Sequence, residues 1–134
     1  MSDKASVAKM LLGEDATSWC LISATEDERE SLGAYLRDKG YQHLSVDGYW
    51  YGNRESSFLV FDMNTDDAIS LADLFFQDAV LTSRGLFYKR FSTGWWVQQG
   101  FSHRHVVFEA IPDGVLDRSI VHCSDGPLTL FCLC

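Results

Sequence analysis

The chain has 134 residues, 46% of them hydrophobic and 13% aromatic, which is the length of one domain with ample material for a core and excludes a disordered chain. Eleven lysines and arginines face 19 aspartates and glutamates, and the resulting charge of −8 argues against indiscriminate binding to a phosphate backbone. The longest apolar runs, such as Leu130 to Cys134, fall far short of the ~20 residues a membrane helix needs, and the N-terminus has no basic-then-apolar signal pattern, so a cytoplasmic protein without a membrane partner is expected.

In chain order, Ala5 to Leu12 reads as a short helix stopped by Gly13, and Ser18 to Ser23 as an aromatic and apolar strand. Thr25 with Glu28 three residues on reads as a capping box, Leu32, Tyr35 and Leu36 form one apolar stripe, and Gly40 closes that helix as its left-handed residue. Tyr41 to Val46 is the next strand, Asp47-Gly48 with Gly52-Asn53 a polar connection, and Phe58 to Met63 a further strand. Asn64 or Thr65 then caps a helix whose Ala68, Leu71, Ala72, Phe75 and Phe76 follow the i, i+3, i+4, i+7, i+8 template. Ala79 to Thr82 is a short strand.

This order predicts an α+β fold with a ferredoxin-like βαββαβ core over about 18–83. From Leu86 onward four or five strand candidates separated by turn residues predict an antiparallel β extension over 84–134, with 1–17 as an N-terminal helix or arm. No linker composition separates these parts, so one domain over 1–134 is expected, as monomer or homodimer. The uneven spacing of Cys20, Cys123, Cys132 and Cys134 predicts free thiols.

Gly40-Tyr41, Gly48-Tyr49, Glu55-Ser56-Ser57-Phe58-Leu59-Val60 and Phe76-Gln77-Asp78-Ala79-Val80 together resemble the bacterial DUF3293 family, across about the middle third of the chain. The family pattern places Glu-x-Ser-x-x-Val on a strand and Phe-Gly-Gln-x-Ala at a helix end, with Phe76 standing here where that pattern has Gly. The resemblance implies no activity and raises Glu55, Ser57 and Gln77 as a pocket. Read from the residues, Glu55 and Ser57 share a strand face, and Gln77 ends the following helix, where it could tie helix to strand.

Charge along the chain is uneven: −3 over 1–40, −6 over 41–83, +4 over 84–106 and −3 over 107–134. The acid-free stretch carries Arg84, Lys89, Arg90 and Arg104 among aromatics that include Trp95 and Trp96, a composition suited to protein contact or to stacking bases. Trp95 and Trp96 must point to opposite faces of a strand. His122 and Cys123 likewise diverge, which makes them a poor dyad, and no elbow presents Cys123 to His103 or His105. His103-x-His105 and Cys132-x-Cys134 could offer zinc two ligands each, but lack the usual knuckle spacing, so no metal or cofactor is expected.

The functional expectation is a small acidic, non-enzymatic binding or regulatory protein acting by protein contact. An inhibitor of a basic or nucleic-acid-binding partner, such as a host-defence complex, is the form this takes, with direct nucleic-acid binding disfavoured by the net charge. The alternative is a nucleotide, single-stranded nucleic-acid or small-ligand binder, or a hydrolase, using the basic aromatic segment 84–106.

Overall fold

The computed structural model describes residues 2–50, 53–90, 92–99, 103–111 and 117–133. Asp3 accepts a hydrogen bond from the Ser6 backbone N–H and so starts α1, Lys4–Leu11, which buries Val7, Ala8, Met10 and Leu11. Strand β1, Trp19–Ser23, leads into α2, Arg29–Asp38. The expected capping box does not form. A tight turn closed by the Glu28 N–H on the Thr25 carbonyl precedes α2, so Glu28 takes the cap position with no side-chain bond. The exit of α2 is as read, with Gly40 left-handed at φ 76°.

Strands β2, His43–Trp50, and β3, Asn53–Phe61, form a long hairpin that absorbs the stretch read as a polar connection. Its polar residues are legible as one wet face: Asp47 on β2 pairs with Arg54 on β3 at 2.9 Å. Asn64 caps α3, Thr65–Leu74, by accepting from the Asp67 N–H at 2.8 Å. The remaining strands are β4, Ala79–Thr82; β5, Gly85–Lys89; β6, Trp96–Gln99; β7, His103–Val107; β8, Arg118–Cys123; and β9, Gly126–Leu133.

The expected ferredoxin-like core carrying an appended extension is not the architecture found. Among the described residues nine strands join one antiparallel sheet, in the order β6-β5-β4-β1-β3-β2-β8-β9-β7, curled into a half-barrel. The reason lies in burial: Val46 on β2 is 1% exposed because β8 continues the sheet beside it, and the cluster it joins runs from Val7 to Leu130. What was read as arm, core and extension thus shares one interior.

The curl follows from distances. Neighbouring strands lie about 4.8 Å apart, so the five spacings from β1 to β7 would span roughly 24 Å if flat. Yet the Trp19 Nε1–H on β1 donates to the Met10 carbonyl at 3.1 Å, and Arg104 Nη1 on β7 donates to the Leu11 carbonyl at 2.7 Å. One helix about 10 Å across touches both, so the sheet wraps around α1. Chain connectivity agrees: β6 and β7 are the two edge strands, yet only three residues separate Gln99 from His103, a link of at most ~15 Å.

Strand alternation sorts the core into two layers. Trp19, Leu21, Leu59 and Phe61 face α1 on the inner side, whereas Cys20, Ile22, Phe58 and Val60 face α2 and α3 on the outer side. If α1 plugs the curl, Leu11→Ala opens a cavity and costs about 2–5 kcal/mol in urea unfolding. A change below about 0.5 kcal/mol, as for a loosely attached arm, would contradict this placement.

Candidate functional site

Strands β5 and β6 form a hairpin in which Lys89 lies opposite Trp96. Both side chains reach the same carboxylate on α3: Lys89 Nζ stands 2.9 Å from Asp73 Oδ1, and Trp96 Nε1 donates to Asp73 Oδ2 at 3.2 Å. The Lys89 hydrogen bond draws the Asp73 carboxyl below its ordinary value of 3.8; slight burial opposes it, and the Trp96 bond and the Lys89 charge assist. The tip of the hairpin is closed by the Gly94 N–H on the Arg90 carbonyl at 2.7 Å, with Gly94 left-handed. Beside it Trp95 is 76% exposed.

The other cations of the segment lie elsewhere. Arg84 is exposed in the turn before β5, roughly 20 Å along the strand from Arg90. Arg104 gives its guanidinium to the Leu11 carbonyl at the C-terminus of α1, where a helix favours positive charge. Lys89 is matched by Asp73. Arg84, Lys89, Arg90 and Arg104 therefore do not share one face, whereas Lys89, Arg90, Trp95 and Trp96 gather at one end of the hairpin.

That end adjoins the C-terminus of α3. The helix closes in a Schellman arrangement, with the Gln77 N–H on the Ala72 carbonyl at 2.8 Å and the Phe76 N–H on the Asp73 carbonyl at 3.2 Å. The left-handed residue this motif requires is Phe76, at φ 56°, where α2 uses Gly40 for the same purpose. A side chain there costs on the order of 1–2 kcal/mol relative to glycine. The turn also swings Phe76 out of the apolar stripe it was read into, so it is 82% exposed while Ala68, Leu71, Ala72 and Phe75 are buried. Leu74, 56% exposed, lies two residues back and lines a separate groove with Tyr35, Lys39 and Tyr41.

The Lys89 N–H donates to the Asp78 carbonyl at 2.8 Å and the Arg90 N–H to the Trp95 carbonyl at 2.8 Å, which joins Phe76 and Trp95 along one rim. Asp66, Asp67 and Asp78 are exposed on the same helix and its exit. The rim is thus aromatic, with Asp78 exposed at the helix exit and Arg90 exposed beside Trp95, while Asp66 and Asp67 lie at the other end of α3. Sequence reasoning assigned Phe76 to the core; the helix-closing Gly of the resembled pattern is the signal that marks its position as a left-handed one.

The other candidates disperse. Ser57 bonds Ser23 across β1 and β3 at 2.6 Å, and Glu55 lies two residues away on the same inner side. Gln77 caps the Phe75 carbonyl at 3.4 Å at the end of α3, which packs on the outer side, so the three are not brought together. His122 pairs with Asp47 at 2.9 Å on the outer side, while Cys123 packs against the inner core. Burial, aided by Asp125, pushes the Cys123 thiol up to about 11, and burial pushes Cys20 to about 12, so both stay protonated and weakly nucleophilic at neutral pH. The side chains of His103 and Cys132, and all of Cys134, lie outside the described residues. Among the described residues no three His, Cys, Asp or Glu side chains stand close enough to hold a metal ion.

Because the folded Asp73 carboxyl sits below its unfolded value, its contribution is present above that value and is lost as pH falls through the folded one. Wild type is expected to show a red shift of Trp96 emission on acidification below about pH 4, and Asp73→Asn to show that shift already at pH 7. Identical pH profiles for the two proteins would refute the anchoring role. The chain matches no protein-family model and no curated protein sequence, so the rim stands on its geometry alone.

Proposed function

We propose that this chain is a non-enzymatic binding module of the cytoplasm that acts by protein contact through the rim that carries Phe76 and Trp95. Two costs coincide at Phe76, a left-handed backbone and an apolar ring in water, and neither improves the fold. Such a combination supports a contact made elsewhere, since strain retained against an easy glycine replacement is characteristic of functional positions. Charge sets the partner. Asp78 is exposed at the helix exit beside Phe76, and the whole chain carries −8, so the complementary surface is an apolar pocket edged by lysine and arginine. Proteins that bind nucleic acid present such basic surfaces, and occupying one of them makes the chain an inhibitor. No helix among the described residues is long and apolar enough to cross a membrane.

Replacing Phe76 by Gly relieves the left-handed strain and is expected to raise folding stability by about 1 kcal/mol. The same variant, and Trp95→Ala, should lose a basic partner retained by wild type, whereas Phe108→Ala, another exposed ring, should keep it. Equal retention by all four proteins would defeat the proposal. Single-stranded DNA or RNA bound at low salt and released by Arg90→Gln would support the nucleic-acid alternative instead.

A further inference from the structure

A second surface lies on the outer side of β2 and β3, beside α2. Glu26, Arg29, Glu30, Gly33, Arg37, His43, Ser45 and Phe58 enclose an open groove of about 580 Å³, a size typical of small-molecule sites. Arg29, Gly33 and Arg37 recur every four residues and so form one stripe of α2, with no side chain at the middle position. Arg37 folds back over that gap: its Nη1 is 3.4 Å from where a Cβ of Gly33 would lie, and the Phe58 ring is 3.6 Å from the same point. The Arg29 guanidinium stands over the Phe58 ring at 5.0 Å, and His43 meets that ring edge-on at 5.3 Å. Phe58 is therefore a platform under Arg29, with Arg37 beside its edge across Gly33.

Neither guanidinium is held in an ion pair among the described residues. Among the described residues, Arg54 and His122 pair with Asp47 and Lys89 pairs with Asp73, but neither Arg29 nor Arg37 has a carboxylate within ion-pair distance, although Glu26 and Glu30 line the same groove. In a chain with eight surplus acids, two neighbouring arginines left without a partner are an anomaly. Arg29 Nε is moreover buried without an acceptor, a condition that costs about 1–3 kcal/mol. The His43 Nδ1–H donates to the Tyr41 carbonyl at 3.0 Å, which fixes the ring and leaves Nε2 for another partner.

We propose that this groove binds a small hydroxylated phosphate monoester, of the sugar-phosphate type. Two guanidinium forks match a phosphate dianion, which accepts several charge-assisted bonds at once. Glu26 and Glu30, free of the arginines, accept from the hydroxyl groups of the remainder, and the Ser45 hydroxyl supplies a further donor on β2. The site is separate from the Phe76 rim and independent of it.

Isotope-labelled full-length protein titrated with ribose 5-phosphate tests this, with ribose, inorganic phosphate and acetate as comparison ligands. Ribose 5-phosphate is expected to shift amide signals of residues 26–45 saturably, with a dissociation constant below about 1 mM. Inorganic phosphate should bind the same residues more weakly, and ribose and acetate should not bind. Arg37→Gln, at an exposed position, should keep the fold and weaken binding about tenfold or more, while Phe76→Gly should leave it unchanged. No saturable shift by ~10 mM, equal affinity in Arg37→Gln, or acetate binding as tightly as phosphate would overturn the proposal.

Discussion

The last turn of a helix presents carbonyls that its own backbone cannot satisfy, and in α1 they are met from two strands that stand far apart in the sheet. Trp19 on β1 donates to Met10 and Arg104 on β7 to Leu11. A flat sheet could not bring both donors to one helix end, so the curl of the sheet, the enclosure of α1 and the depth of the inner core are a single constraint. The outer side has a different logic. There α2 and α3 cover only the middle strands, which leaves the flank of β2 open as a groove and the β5–β6 hairpin held to α3 through Asp73.

Local chemistry was legible in the sequence and assembly was not. Gly40 and Asn64 specify their helix ends through their own backbone preferences and hydrogen-bonding reach, and both perform as read. Leu32, Leu36, Ala68, Leu71 and Ala72 are buried where the helical period places them. Glu55 and Ser57 read as strand residues, but the start of β3 at Asn53 reads as a connection because its residues before Phe58 are polar and its pairing with β2, as of Arg54 with Asp47, leaves no periodic apolar signal. The same blindness produced the ferredoxin-like expectation: β8 pairs with β2 through residues far along the chain, and nothing near Val46 announces the neighbour that buries it.

The candidate site shows how one dihedral angle reverses a sequence inference. Phe76 fits the apolar template, yet it falls two residues beyond the helix, where the chain must turn left-handed and the side chain leaves the core. The basic aromatic segment fails as a patch for a related reason. Its cations are placed by unrelated tasks, Arg104 at a helix end and Lys89 on a carboxylate, so summing their charges overstates what any ligand would meet. Arg29 and Arg37, hidden in an acidic stretch, are by contrast brought together.

The contacts of α1 also order the birth of the molecule. Lys4 bonds Asp125 across 121 positions and Leu11 bonds Arg104 across 93, so α1 leaves the ribosome long before its partners are made. Until Leu130 is synthesised, the inner face of the middle strands stays wet and the nascent chain holds its earliest apolar residues, Val7 to Leu11, without a place to bury them. Pairings this remote also slow the search for the native state. The nascent chain therefore holds α1 unpartnered until β7 and β9 have emerged, so the strands that enclose this helix also set when its apolar face can be buried.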